Sequence, residues 1–169
     1  MNKDILTYSI LFVALILLQV LICNHIAIFN VAIPVIFIYF LIRLPLSVKP
    51  SMLFTLAFCL GLLIDIFSDT PGVNALACTL IAALKRPMFY AYVDRDDRTK
   101  NITPCVSSIG LTNYCKYLVT FVGIYCLLVF SIEYFSFADV KEIVIMTFSS
   151  CILSFAILLA IDCLILTKS

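Results

Sequence analysis

The chain has 169 residues, of which 64% are hydrophobic and 12% charged, with a formal net charge of +1 and a mean hydropathy of +1.18. Soluble domains run near half apolar and a quarter charged, so this composition excludes an ordinary soluble domain and implies an all-α integral membrane protein in contact with a lipid bilayer, with no nucleic-acid partner. At roughly 20 residues per span, four to six helices with short connections use up the length as a single transmembrane domain over 1–169.

The first apolar run covers 5–23. It follows one lysine, outlasts a signal-peptide core and meets no small-x-small cleavage site before Asn24, so it reads as a retained first span. The second run, 31–46, is the weakest: only about 12 residues precede Arg43, about 18 Å of helix against a hydrocarbon core of roughly 30 Å. It spans if Arg43 and Lys49 snorkel to the interface, or it is a short helix sheltered by its neighbours. The third and fourth runs, 52–67 and 73–92, are separated by SDTPG. There Thr70 and Pro71 have the order of a capping hydroxyl and a first-position proline. A mixed-charge segment, 93–113, forms the one sizeable loop. Its Asn101-Ile102-Thr103 acceptor pattern is taken as chance, because the loop faces inward. The last two runs are 114–135 and 143–166, and Asp139 and Glu142 have capping-box spacing before the latter.

Six spans with the N-terminus inside put Lys3, Arg43, Lys49, Lys85, Arg86, Arg95, Arg98, Lys100, Lys116 and Lys168 on the cytoplasmic side and only Lys141 outside. Ten against one fixes an N-in, C-in orientation by the positive-inside rule. The count also favours the short second span, since omitting it would set the basic 85–116 region opposite Arg43 and Lys49.

Catalysis finds little to work with. His25 is the single histidine and stands beside Asn24 at a helix end, where an interfacial polar residue is ordinary. No GxSxG, HExxH or Walker loop occurs. The four glycines, Gly61, Gly72, Gly110 and Gly123, are too scattered to cradle a phosphate. The eight cysteines lack metal-like spacing and read as small apolar packing residues. The expectation is a non-enzyme without cofactor or metal.

Two carboxylates lie inside apolar runs. Asp162 sits near the inner end of the last helix, within reach of the interface or of Lys168. Asp65 lies fourteen residues beyond Ser51, roughly 21 Å along the third helix. A charged aspartate there costs up to about 2.5–3.5 kcal/mol, less toward the interface, so it calls for a partner or water. Asp69 is one turn further on the same face, and Asn74 opens the next helix. Three roles stay open: a hairpin lock that accepts hydrogen bonds from the turn and the helix-start amides, the lining of an outward cavity or partner groove, or a proton relay. Ala75, Ala77, Cys78, Ala82 and Ala83 allow close approach along the fourth helix. Phe121, Tyr125, Phe130, Tyr134, Phe135, Phe148 and Phe155 supply bulk to the core, the lipid face and the interfacial belt.

Two motifs carry a family resemblance. Phe29, Asn30, Val31, Ile33 and Pro34 form an F-N-V-x-I-P-like step. Gly61, Leu62, Leu63, Asp65, Pro71, Gly72, Asn74, Ala75 and Leu76 form a G-L-L-x-D…P-G-x-N-A-L hairpin. In these the chain resembles the rod shape-determining MreD family, in its Bacteroides-group versions. Many members carry histidine where Asn74 stands. The resemblance implies a fold similar to the S-components of energy-coupling-factor vitamin transporters, six helices around a small outward-facing hollow. It also implies a non-enzymatic scaffold of the bacterial inner membrane that binds MreC and works with MreB, RodA and a class B transpeptidase to direct lateral peptidoglycan synthesis and cell shape. Asp65, Asp69, Pro71, Gly72 and Asn74 are then the partner-binding or structural hairpin, and Arg95, Arg98 and Lys100 the cytoplasmic contact. The alternative is an S-component-like subunit that binds a small molecule such as a vitamin.

Overall fold

The structure, a computed structural model, describes residues 2–23, 34–93, 104–133 and 140–167. Helices account for most of them, and no strand occurs among the described residues. Helix α1, Asn2–Leu18, widens into a π-helical turn at Gln19–Cys23; α2 is Ile38–Arg43, α3 Pro50–Ser68, α4 Val73–Tyr92, α5 Val106–Ile109, α6 Leu111–Glu133 and α7 Val140–Thr167. Pro50–Ser68, Leu111–Glu133 and Ile143–Cys163 are long and apolar enough to cross a membrane, and Leu6–Leu21 is a shorter apolar stretch. Helix α4 has the length, 20 residues, but Lys85 and Arg86 lower its hydropathy. With the composition, these helices make the chain a membrane protein.

The packing order is α3 on α4, α4 on α6 and α6 on α7, with α1 against α2 and α3. Gly61 explains how closely α3 and α4 approach: a Cβ there would fall 2.5 Å from the Ala75 Cα and 2.5 Å from the Asn74 carbonyl oxygen. On the α4 side Ala75, Ala77, Cys78 and Ala82 are buried, while Ala83 is exposed. Aromatic side chains fill the middle of the bundle. Phe89 and Tyr117 meet edge-on at 5.8 Å, as do Phe37 and Tyr125 at 5.7 Å. Phe12 fastens α1 to α2 through Phe40 at 5.1 Å. Outward-facing apolar side chains, such as Leu6, Ile10, Val13 and Leu17 on α1 and Phe148 and Ile152 on α7, give the surface a hydrocarbon environment requires.

Between α1 and α3 the structure corrects the expected helix over 31–46. Its described part is extended at 34–36 and helical for only six residues, all of Ile38 to Ile42 being buried. Six residues rise about 9 Å. This is the sheltered short helix rather than a snorkelling span. Proline accounts for the break: Pro34 has no N–H to give a helix, and its ring disfavours helical geometry in the residue before it. The freed backbone groups are met by side chains. Val35 N–H donates to Ser154 Oγ at 2.8 Å, Ile36 N–H to Gln19 Oε1 at 2.9 Å, and Gln19 Nε2 donates to the Pro34 carbonyl at 3.0 Å. Non-helical backbone at membrane depth survives only when it is sheltered and paired in this way.

Candidate functional site

At the α3–α4 turn, Asp69 ends α3 in the left-handed region, φ 55°, and donates its N–H to the Asp65 carbonyl. Thr70 N–H reaches the same carbonyl at 3.2 Å. Gly72, φ 81°, takes the N-cap position, so α4 begins at Val73 without a capping side chain of its own. That corrects the Thr70-Pro71 cap. Proline precedes the helix, and the threonine hydroxyl turns back toward α3.

The cap comes instead from Asp65. Its Oδ1 accepts from Thr70 Oγ1 at 2.8 Å, Asn74 N–H at 2.9 Å and Asn74 Nδ2 at 2.9 Å; its Oδ2 accepts from Ala75 N–H at 2.8 Å. Four bonds fill the acceptor capacity of a carboxylate, and two of them satisfy orphan amides at the positive end of α4. Asp65 is 6% exposed. Asn74 extends the network, since its Oδ1 accepts a hydrogen bond from the Tyr125 hydroxyl of α6. One carboxylate therefore links three helices. Asp69, Pro71 and Gly72 form the exposed tip and contribute backbone shape. Arg95, Arg98, Lys100, His25, Lys168 and Asp139 lie outside the described residues.

A second polar cluster occupies the opposite end of the bundle. Fully buried Asp162 accepts through Oδ1 from the Tyr39 hydroxyl at 2.7 Å and Arg43 at 2.9 Å, and through Oδ2 from Val106 N–H at 3.2 Å. Among the described residues its ion-pair partner is Arg43; Lys168, the expected alternative, lies outside them. Lys85, 1% exposed, donates to the carbonyls of Leu41, at 2.6 Å, and Leu44, and Arg86 donates to those of Leu46 and Val48 at 3.2 and 3.0 Å. Lys85 closes the C-terminal end of α2, whose last carbonyls lack helical partners, and Arg86 holds the connection that follows it. The sequence signal was available in outline: a lone arginine closing one apolar run and a lone aspartate inside another, 119 residues apart, invite pairing. Nothing in the pattern set Lys85 inward.

A cavity of about 360 Å³ opens at the hairpin end, bounded by Gln19, Phe37, Phe67, Asn74, Phe130 and Glu133 among others. Another, about 420 Å³ and more apolar, lies among Tyr8, Phe12, Phe40, Pro45 and Met52. No three histidine, cysteine, aspartate or glutamate side chains among the described residues are grouped to hold a metal ion. Comparison with protein families, characterised proteins and solved structures finds no match for this chain.

Proposed function

We propose that the chain is a non-enzymatic scaffold of the bacterial inner membrane, of the type its hairpin motif resembles, with six membrane crossings, the second completed by the short sheltered α2, and both termini cytoplasmic. In this reading it holds MreC and so joins the MreB filament to RodA and the class B transpeptidase during lateral wall synthesis. The observation that supports it is the use of Asp65. Standing on α3, it has its acceptors filled by the turn and α4, and Asn74 carries the linkage to α6, which braces the bundle rather than presenting a reactive group. The basic residues Arg95, Arg98 and Lys100 are the proposed filament-side contact.

Co-purification of MreC with the tagged protein from detergent tests the scaffold. Wild type is expected to retain MreC. Asp65→Asn is expected to melt lower yet retain MreC wherever it remains folded. Failure of the wild type to hold MreC sinks the proposal. Charge reversal at Arg95, Arg98 and Lys100 with unchanged cell shape and assembly would remove the loop from it.

The hairpin-end cavity favours a second reading, a small-molecule site of the S-component type. Its volume falls within the range of ligand pockets, roughly 300–1,000 Å³.

A further inference from the structure

Glu133 differs from the other described carboxylates at the two polar clusters. Asp65 and Asp162 are filled with donors, whereas Glu133, which borders the cavity, has no hydrogen-bond or ion-pair partner among the described residues. It is the last described residue of α6 and is itself exposed. Lys141, in the first turn of α7, makes no ion pair with it. The cavity sets Glu133 among buried Phe37 and Phe130, exposed Phe67, and Ile64 and Val129, with polar Gln19 and Asn74 also on its lining. A carboxylate and several phenyl rings on one cavity wall are the chemistry that recognises an organic cation, by charge and by the negative face a ring can offer it.

We infer that the hairpin-end cavity binds a small organic cation with an apolar body, the ammonium held by Glu133 and the body by Phe37, Phe67 and Phe130. A neutral ligand of the same shape leaves Glu133 without a counter-charge, and an anion is repelled by it. The inference rests on the small-molecule reading and is independent of the scaffold assignment, because the cavity needs neither MreC nor the cytoplasmic loop.

The test uses the full chain in lipid nanodiscs with phenethylamine as the probe and 2-phenylethanol as its neutral counterpart, followed by calorimetry and thermal melting. Phenethylamine is expected to bind wild type more tightly than the alcohol. E133Q is expected to weaken the amine by up to about fivefold, the span of a solvent-exposed ion pair, while leaving the alcohol unchanged. V129F, which narrows the cavity, should weaken both. If amine and alcohol bind wild type alike, or E133Q leaves the amine unchanged, the cation assignment is overturned while the cavity remains a ligand site. Absence of binding by both probes, or binding of both left unchanged by V129F, overturns the cation site and the small-molecule reading together. The wild-type comparison of the two probes stands even if a variant fails to fold.

Discussion

Asp65 shows how a single side chain can be placed against the cost of its surroundings. Two of its four donors are backbone amides that would otherwise be orphaned at the start of α4, so the carboxylate and the helix end satisfy each other. Asparagine cannot reproduce this, because its NH₂ group would face a donor at one of the two oxygen positions. Asp65→Asn is expected to lower stability by about 1–3 kcal/mol, the cost of leaving a buried polar group unpaired, seen as a lower melting temperature with helix content unchanged by circular dichroism. Gly61 gives a sharper case. Its added Cβ would meet α4 backbone, not a movable side chain, so Gly61→Ala is expected to cost at least the roughly 1–3 kcal/mol of core overpacking. Gly123 serves as the control: the nearest atom to a Cβ there is Cys151 Sγ at 3.7 Å. Gly123→Ala should therefore be neutral or stabilising by up to about 1 kcal/mol through helix propensity, and equal melting shifts for the two variants would refute the close-approach account.

At the scale of the element, α2 has no independent claim to be a helix. Six residues lie well below the length at which isolated helices persist, since nucleation costs more than one turn returns. Its neighbours hold it: Gln19 and Ser154 pair the extended entry, Lys85 and Arg86 close the exit, and Asp162 anchors Tyr39 and Arg43. Removing one partner of the Arg43–Asp162 pair strands the other. Asp162→Ala is expected to cost toward the lower end of roughly 3–5 kcal/mol, given that Arg43 is 24% exposed. The Arg43→Met and Asp162→Ala double variant should cost less than the sum of its single variants, by about 0.5–3 kcal/mol. Strict additivity in that cycle would show that the ion pair does not couple α2 to α7. The motif-bearing α3–α4 hairpin behaves differently, because its lock lies within ten residues of chain. Its existence, its turn and the possibility of a carboxylate lock were legible from SDTPG and Asp65. The cap assignment was not, because a threonine before a proline fits an N-cap as well as a bond back to the preceding helix, and only the positive φ of Gly72 separates the two.

For the whole molecule, the proposed orientation puts the hairpin tip outside and the α2–α3 connection inside. In a cysteine-free background, Asp69→Cys is expected to react with a membrane-impermeant maleimide on intact spheroplasts, and Lys49→Cys only after permeabilisation. The reverse pattern would overturn the orientation of α3 and the crossing of the second segment, and labelling of both from outside would contradict a membrane-spanning α3. The two polar clusters lie at opposite ends of this bundle and have different consequences. One closes the hairpin beside a cavity, and the other ties the broken second segment to the last helix.

Composition and periodicity alone determined that the chain is a membrane protein. They also located the long apolar helices, since a helix in lipid satisfies its own backbone and needs only length and hydropathy to be recognised. Helices α3, α4, α6 and α7 overlap the runs from which they were expected, with ends differing by up to three residues at α6 and α7, where polar residues continue the helix past the apolar stretch. Tertiary structure decided what becomes of backbone that leaves the helix, and which buried charges meet. The partners of Pro34–Ile36, of the α2 carbonyls and of Asp162 come from chain positions up to 123 residues away. A local pattern can show that a buried donor or acceptor requires a partner, but the packing of the helices selects which one it receives.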